Sequence, residues 1–156
     1  LERTTRKTAA AVNDQGKEGN QLFLAGKIEN KYTNLFIDCG SGISLISNAF
    51  YRQLSNKRLQ KSTAKLQTAN QQPLQVMGKV KLNISIHGTS RREGKFETCF
   101  EFHVTEGLSH EVLLGMDFLE RHNAIIDTKN KKLTIEDNYA AVTIHKLISM
   151  NQNSLT

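Results

Sequence analysis

From Gln21 onward, apolar and polar positions alternate in short runs. Leu22, Leu24, Gly26 and Ile28 alternate with Phe23, Ala25 and Lys27, which predicts a strand ending at Glu29-Asn30. Thr33 to Asp38 (TNLFID) predicts a second strand. It is apolar on both faces at Leu35, Phe36 and Ile37, and therefore central. A break at Cys39 to Gly42 precedes a short strand over Ile43 to Ile46, and Ser47-Asn48 can cap a helix over Ala49 to Leu54. Lys57 to Thr63 is a polar loop. Lys65 to Ala69 and Leu74 to Gly78 then flank a turn at Asn70-Gln71-Gln72-Pro73, a hairpin with the chain's one proline near its tip. Lys79 to Ile86 alternates strictly, and after a loop over His87 to Gly94 a strand at Phe96 to Val104 puts Phe96, Thr98, Phe100 and Phe102 on one face. Val112 to Gly115 predicts a buried strand, Asp117 to His122 a short helix, and Ala124 to Asp127 with Lys132 to Ile135 a final hairpin. Eight or more short strands and two short helices predict a mostly β chain. Tyr139 to Ile148 fits either one more strand or a linker.

A length of 156 residues implies one domain. Residues 1–20 are polar and read as a flexible lead-in, 21–137 as the domain, and 138–156 as a C-terminal strand or tail. A start on Leu1 suggests a piece of a longer product. The net charge of +6 is unevenly spread, because Cys39 to Arg92 holds nine Lys and Arg and no Asp or Glu. Such a stretch admits nucleic acid as a partner, but no aromatic interleaving or nucleic-acid motif supports it as a direct ligand. A solvated basic face is the simpler reading. No run has the ~18 apolar residues of a membrane-spanning helix, and no signal peptide opens the chain. Two cysteines make no disulfide framework, which points to a reducing compartment. Cys99 reads as a small buried residue. The five histidines share no metal-ligand spacing, read as surface or loop residues, and imply neither metal nor cofactor.

Candidate chemistry lies at Asp38-Cys39-Gly40-Ser41, where a carboxylate follows a buried strand and a glycine turn lets backbone close on it. Amide hydrolysis by water needs a base and an acid, and two carboxylates sharing one proton supply both. Taken alone, an Asp-x-Gly turn is weak evidence. Here Asp38-Cys39-Gly40-Ser41-Gly42-Ile43-Ser44-Leu45-Ile46 resembles the active-site segment of retropepsin-like aspartic proteases, as found in long-terminal-repeat retroelement polyproteins. Leu113-Leu114-Gly115-Met116-Asp117 resembles that family's second apolar-apolar-Gly segment. Leu66 to Asn70 with Leu74 to Gly78 resembles its flap hairpin.

The resemblance implies an all-β, barrel-like acid-protease fold with a flap around Ala69, Asn70, Gln71 and Gln72, and an aspartic endopeptidase with Asp38 as its catalytic group. One Asp-x-Gly per chain leaves the second carboxylate to a second copy. Lys129 follows Asp127-Thr128 where glycine is required, and Asp117 stands at a helix start, where a carboxylate is structural. A two-fold homodimer acting on peptide bonds, within its own polyprotein, is the expectation. The setting would be the cytoplasm or a virus-like particle. Cys39 stands where the family has Thr or Ser, and Gln71 where the flap tip is often glycine. Both favour a rival reading, a domesticated domain kept for dimerisation or peptide binding. Cys39 as a thiol nucleophile would need a partner histidine, and none is local.

Overall fold

The computed structural model describes residues 7–9, 20–55, 58–68, 70–87, 95–135, 139–143 and 145–148. In chain order the elements are β1 (Lys7–Ala9), β2 (Asn20–Ile28), β3 (Lys31–Ile37), β4 (Leu45–Ser47), α1 (Asn48–Tyr51), β5 (Leu66–Thr68), β6 (Pro73–Leu74) and β7 (Val76–His87). Then follow β8 (Lys95–Thr105), β9 (Val112–Leu114), α2 (Met116–Arg121), β10 (Ile125–Asp127), β11 (Lys132–Ile135), β12 (Tyr139–Thr143) and β13 (His145–Ile148).

Six strands close into a barrel in the order β2-β3-β9-β4-β8-β7, with β2 pairing again to β7, and β13 adds to β2 outside the ring. Closure turns on Gly26. It pairs with Thr33 of β3 and with Ile86 of β7, and a Cβ there would lie 2.5 Å from a Leu35 methyl and 2.8 Å from the Ser85 carbonyl oxygen. Only a residue without a side chain lets β2 serve both neighbours. Closing the ring also removes open sheet edges.

Successive rows across the barrel wall face opposite ways, as a two-residue repeat demands. Leu24, Leu35, Val112, Ile46 and Val104 stand in register and belong to the buried interior. β7 and β8 add Val80, Leu82, Ile84, Ile86, Phe96, Phe100 and Phe102, and α2 adds Phe118 and Leu119. The next row is Phe23, Phe36, Leu113, Leu45 and His103. It faces the other side, where Leu45 and Leu113 form a second apolar cluster with Ile43 and Leu66.

Several expectations need correction. The stretch 74–78 does not form a separate strand from 79–86. β6 ends at Leu74, and β7 runs from Val76 through a register shift near Gly78. α1 is only four residues long, although Ser47 caps it as expected, its Oγ accepting the Phe50 N–H at 3.1 Å. Lys7–Ala9, read as part of a lead-in, forms a strand parallel to β5; the rest of 1–19 lies outside the described residues, as do Gly88 to Gly94 of the predicted loop. Cys99 is exposed, because alternation along β8 puts it on the outer face with Lys95 and Glu97. His103 and His122 are buried. His103 falls in the second-face row, and His122 packs on Phe96 and Phe118. The segment 139–148 forms two strands, β12 on β11 and β13 on β2.

Candidate active site

Asp38 is the first residue past β3. Its N–H donates to the Leu114 carbonyl at 2.9 Å, which extends the parallel β3–β9 pairing by one rung. The chain then folds back. Ser41 N–H donates to the Asp38 carbonyl at 3.1 Å, and Gly40 N–H donates to Asp38 Oδ1 at 3.0 Å. This second bond stabilises the ionised carboxylate and fixes its orientation. Cys39 and Gly40 are exposed beside it, while Ser41 is fully buried and its hydroxyl donates to the Ile43 carbonyl at 2.7 Å.

The strand that braces this loop comes from the far end of the domain. β9 runs between β3 and β4, parallel to the first and antiparallel to the second. At its end, Gly115 passes so close to the loop that a Cβ would lie 2.6 Å from the Ile43 carbonyl oxygen and 2.7 Å from that of Ser41. Met116 N–H donates to the Ser41 carbonyl at 2.7 Å. Ser44 joins the two segments. Its Oγ accepts the Gly115 N–H at 2.9 Å and donates to Asp117 Oδ1 at 2.6 Å, and its N–H donates to Asp117 Oδ2 at 3.1 Å. Asp117 Oδ1 also accepts the Phe118 N–H at 2.7 Å, at the start of α2. The Asp117 carboxylate is therefore engaged inside the scaffold, consistent with a structural role. Ser44 lies within the quoted motif, but sequence reasoning gave it no role.

The β5–β6 hairpin packs on the same wall, with Leu66 and partly buried Leu74 against Leu45 and Leu113. Its turn hangs on one residue. Thr68 exchanges backbone bonds with Gln72 and Gln71 at 2.7 and 2.9 Å. Its hydroxyl accepts the Gln72 N–H at 3.0 Å and donates to Asn70 Oδ1 at 2.5 Å. Asn70, Gln71 and Gln72 are exposed at the tip, and Ala69 lies outside the described residues. Gln71 has φ 67°, the left-handed region where glycine is the usual occupant. A cavity of about 510 Å³ opens at the hairpin's root, walled by Ala64, Leu66, Leu74 and Val76 among others, and Asp38 does not line it.

Two titratable groups feel Asp38. Burial pushes the Cys39 thiol up, and the Asp38 charge pushes it further the same way. Cys39 is thus protonated at neutral pH and a poor nucleophile. Burial pulls the His110 imidazole down, and the Asp38 charge opposes that pull. His110 was not singled out from sequence; nothing in its spacing marks it. Leu113 belongs to the second apolar cluster and Leu114 to the barrel interior. Among the described residues, no group of three or more His, Cys, Asp or Glu is placed to hold a metal ion, and no helix is long and apolar enough to cross a membrane.

Residues 24–121 match the family model described as "gag-polyprotein putative aspartyl protease". The chain belongs to the gag-polyprotein aspartyl protease family. The match spans both the Asp38 loop and the Gly115 segment that braces it. Among solved structures, this family member is similar to the retroviral protease-like domain of Ddi1 from Leishmania major, with 21% identity, a TM-score of 0.63, and coverage of 80% of this chain and 96% of that one. It is also similar to a retropepsin-like aspartic protease from Rickettsia conorii (19% identity, TM-score 0.47, 88% and 90% covered) and to EIAV protease complexed with the inhibitor HBY-793 (17%, 0.46, 73% and 96%). The likeness to the Leishmania domain establishes the retropepsin-like fold of this family member.

Proposed function

We propose that the chain is an aspartic endopeptidase that works as a two-fold homodimer, with one Asp38 from each copy. One observation carries the reading: the family's single Asp-x-Gly carboxylate is held at a strand end by a buried brace and is left partly open to solvent. A lone carboxylate cannot be base and acid together, so the pair has to come from two chains.

In that pair, close like charges keep one proton between them. The ionised carboxylate takes a proton from a water while the water's oxygen bonds to the peptide carbonyl carbon. The protonated one hydrogen-bonds to the carbonyl oxygen. Collapse of the tetrahedral intermediate breaks the C–N bond as a proton passes to the leaving nitrogen. The hairpin at Asn70–Gln72 covers the substrate, and peptide bonds flanked by apolar residues are the substrate class we assign. Polyprotein processing in an intracellular setting is the biological role we assign.

The test is digestion of an apolar-rich peptide pool between pH 4 and 8, beside an Asp38→Asn control, with sedimentation over a range of concentrations. Cleavage that vanishes in the control, from a protein that dimerises, supports the reading. A strict monomer at high concentration defeats it. Cys39 favours a second reading, a non-catalytic dimerisation or peptide-binding domain. A thiol is a weaker donor than the hydroxyl the family carries there. A verified dimer that cleaves nothing, and stays inactive as Cys39→Thr, selects that second reading.

A further inference from the structure

The row that carries Phe36 toward Asp38 also carries an aromatic stack. Phe23 and Phe36 lie side by side across β2 and β3, with ring centroids 5.1 Å apart. His110 lies flat on Phe36 at 3.9 Å and 15°. Phe36 and Asp38 are two residues apart at the end of an extended segment, so the ring under the imidazole is about 7 Å along the chain from the carboxylate.

His110 is held there from the following residue. The Glu111 carbonyl accepts the Ser47 N–H at 2.9 Å, and Glu111 Oε1 accepts the Thr33 hydroxyl at 2.7 Å. The loop into β9 is thereby tied to both β3 and β4. His110 Nε2 is buried and has no hydrogen-bond partner among the described residues. A buried ring nitrogen left unpaired is costly, and its position beside the proposed reacting group gives it a use.

We propose that His110 is a positioning residue for the Asp38 pair: the imidazole takes up a proton on acidification and, as a cation over Phe36, holds the pair in its singly ionised form. The proposal rests on the reading of Asp38 as the reacting carboxylate. At neutral pH the half-buried ring is uncharged, because burial outweighs the pull of Asp38. As pH falls, the working pair is lost by uptake of its second proton. A cation nearby opposes that uptake, so the acid limb of activity reaches lower pH. On the alkaline side the ring is neutral, and that limb is unaffected.

Among the described residues, the charge that acts on the ring is that of Asp38. Glu111, its chain neighbour, is turned to Thr33. The Cys39 thiol beside Asp38 is protonated, Phe23 and Phe36 carry no charge, and on β13 His145 holds the register position opposite Phe23.

Two measurements on the intact chain decide it. NMR titration of the His110 ring proton compares the parent with Asp38→Asn; the protonation midpoint should fall in the variant, and an unchanged midpoint overturns the coupling. The pH profile of kcat/KM compares the parent with His110→Phe, which keeps a ring on Phe36. At the acid end the variant should lose about three- to tenfold, with the alkaline limb in place. A loss that is uniform across pH, or no loss, overturns the proposal. A parent inactive at every pH defeats the endopeptidase reading instead, and the NMR comparison then decides the coupling by itself.

Discussion

The loop that carries Asp38 and the hairpin that packs across the same wall are made of similar residues, mostly Gly, Ser, Thr, Asn and Gln. They are held in opposite ways. The loop is gripped from outside itself, because Leu114, Gly115, Met116 and Asp117 contact it from a segment more than 70 residues away in sequence. Its hydroxyls are buried and satisfied in both directions. The hairpin's tip is held from within, by Thr68 and its immediate neighbours, while its root is tied down by β1 along β5 and by Leu66 and Leu74 against the wall. A reacting charge is useful only if it cannot wander, and a cover is useful only if it can lift. Local contacts open at low cost, whereas distant ones open only with the whole domain.

The sharpest way to break this contrast is to separate chemistry from scaffold. Asp38→Asn keeps the Gly40 N–H bond, since the amide oxygen still accepts. Peptidase activity should fall by about 10³-fold, while the thermal midpoint moves little. A loss of stability to match the loss of activity would show that the carboxylate serves the fold. Gly115→Ala does the reverse. Its methyl meets two carbonyl oxygens that cannot both retreat, and urea unfolding should show a loss of about 2–3 kcal/mol.

Next come paired hydroxyl deletions. Ser44→Ala strands the buried Gly115 N–H and takes one of two donors from Asp117 Oδ1, and should cost about 1–3 kcal/mol of global stability. Thr68→Ala removes a comparable pair of bonds from the hairpin. It should cost about 1 kcal/mol or less globally and act on local amide exchange at residues 66–74 instead. Equal global losses would erase the distinction between base and cover.

Gln71→Gly should be nearly silent in global stability. It relieves a left-handed residue, a gain of about 1 kcal/mol, against a similar entropic loss from the unfolded chain. Its readout is faster amide exchange at the tip. The smallest expected effect is an acid dependence at His110. Its folded-state pKa lies below the unfolded value of about 6.5, so the unfolded chain binds the proton more readily. Stability is complete above that value and declines as pH falls below it. His110→Phe should therefore gain on the parent in thermal midpoint as pH drops from 7 to 5.

Much of this was legible in the residues. Alternation marked β2, β7 and β8 because one face of each is buried in the interior. The Asp38 and Gly115 segments were legible as motifs because each combines an apolar strand with a glycine at a close approach. Other features leave no local trace. Nothing in Lys7-Thr8-Ala9 signals a strand, since it is placed by β5. The closure of β2 onto β7 depends on Gly26, which in sequence is one glycine in an alternating run. His110 belongs to no motif, and its stacking partner lies 74 residues earlier. Cys99 reads as buried by residue type alone, but its register with Lys95 and Glu97 places it on the outer face.

The threading of β9 between β3 and β4 also sets a timetable. Asp38 leaves the ribosome long before Leu114, and its loop has no rigid seat until that later strand slides into the gap beside it. At roughly 5–20 residues per second, synthesis delays that event by about 4–15 s. During this interval a nascent chain carries the aspartate but not its mount. Any cutting activity is therefore a property of the finished domain.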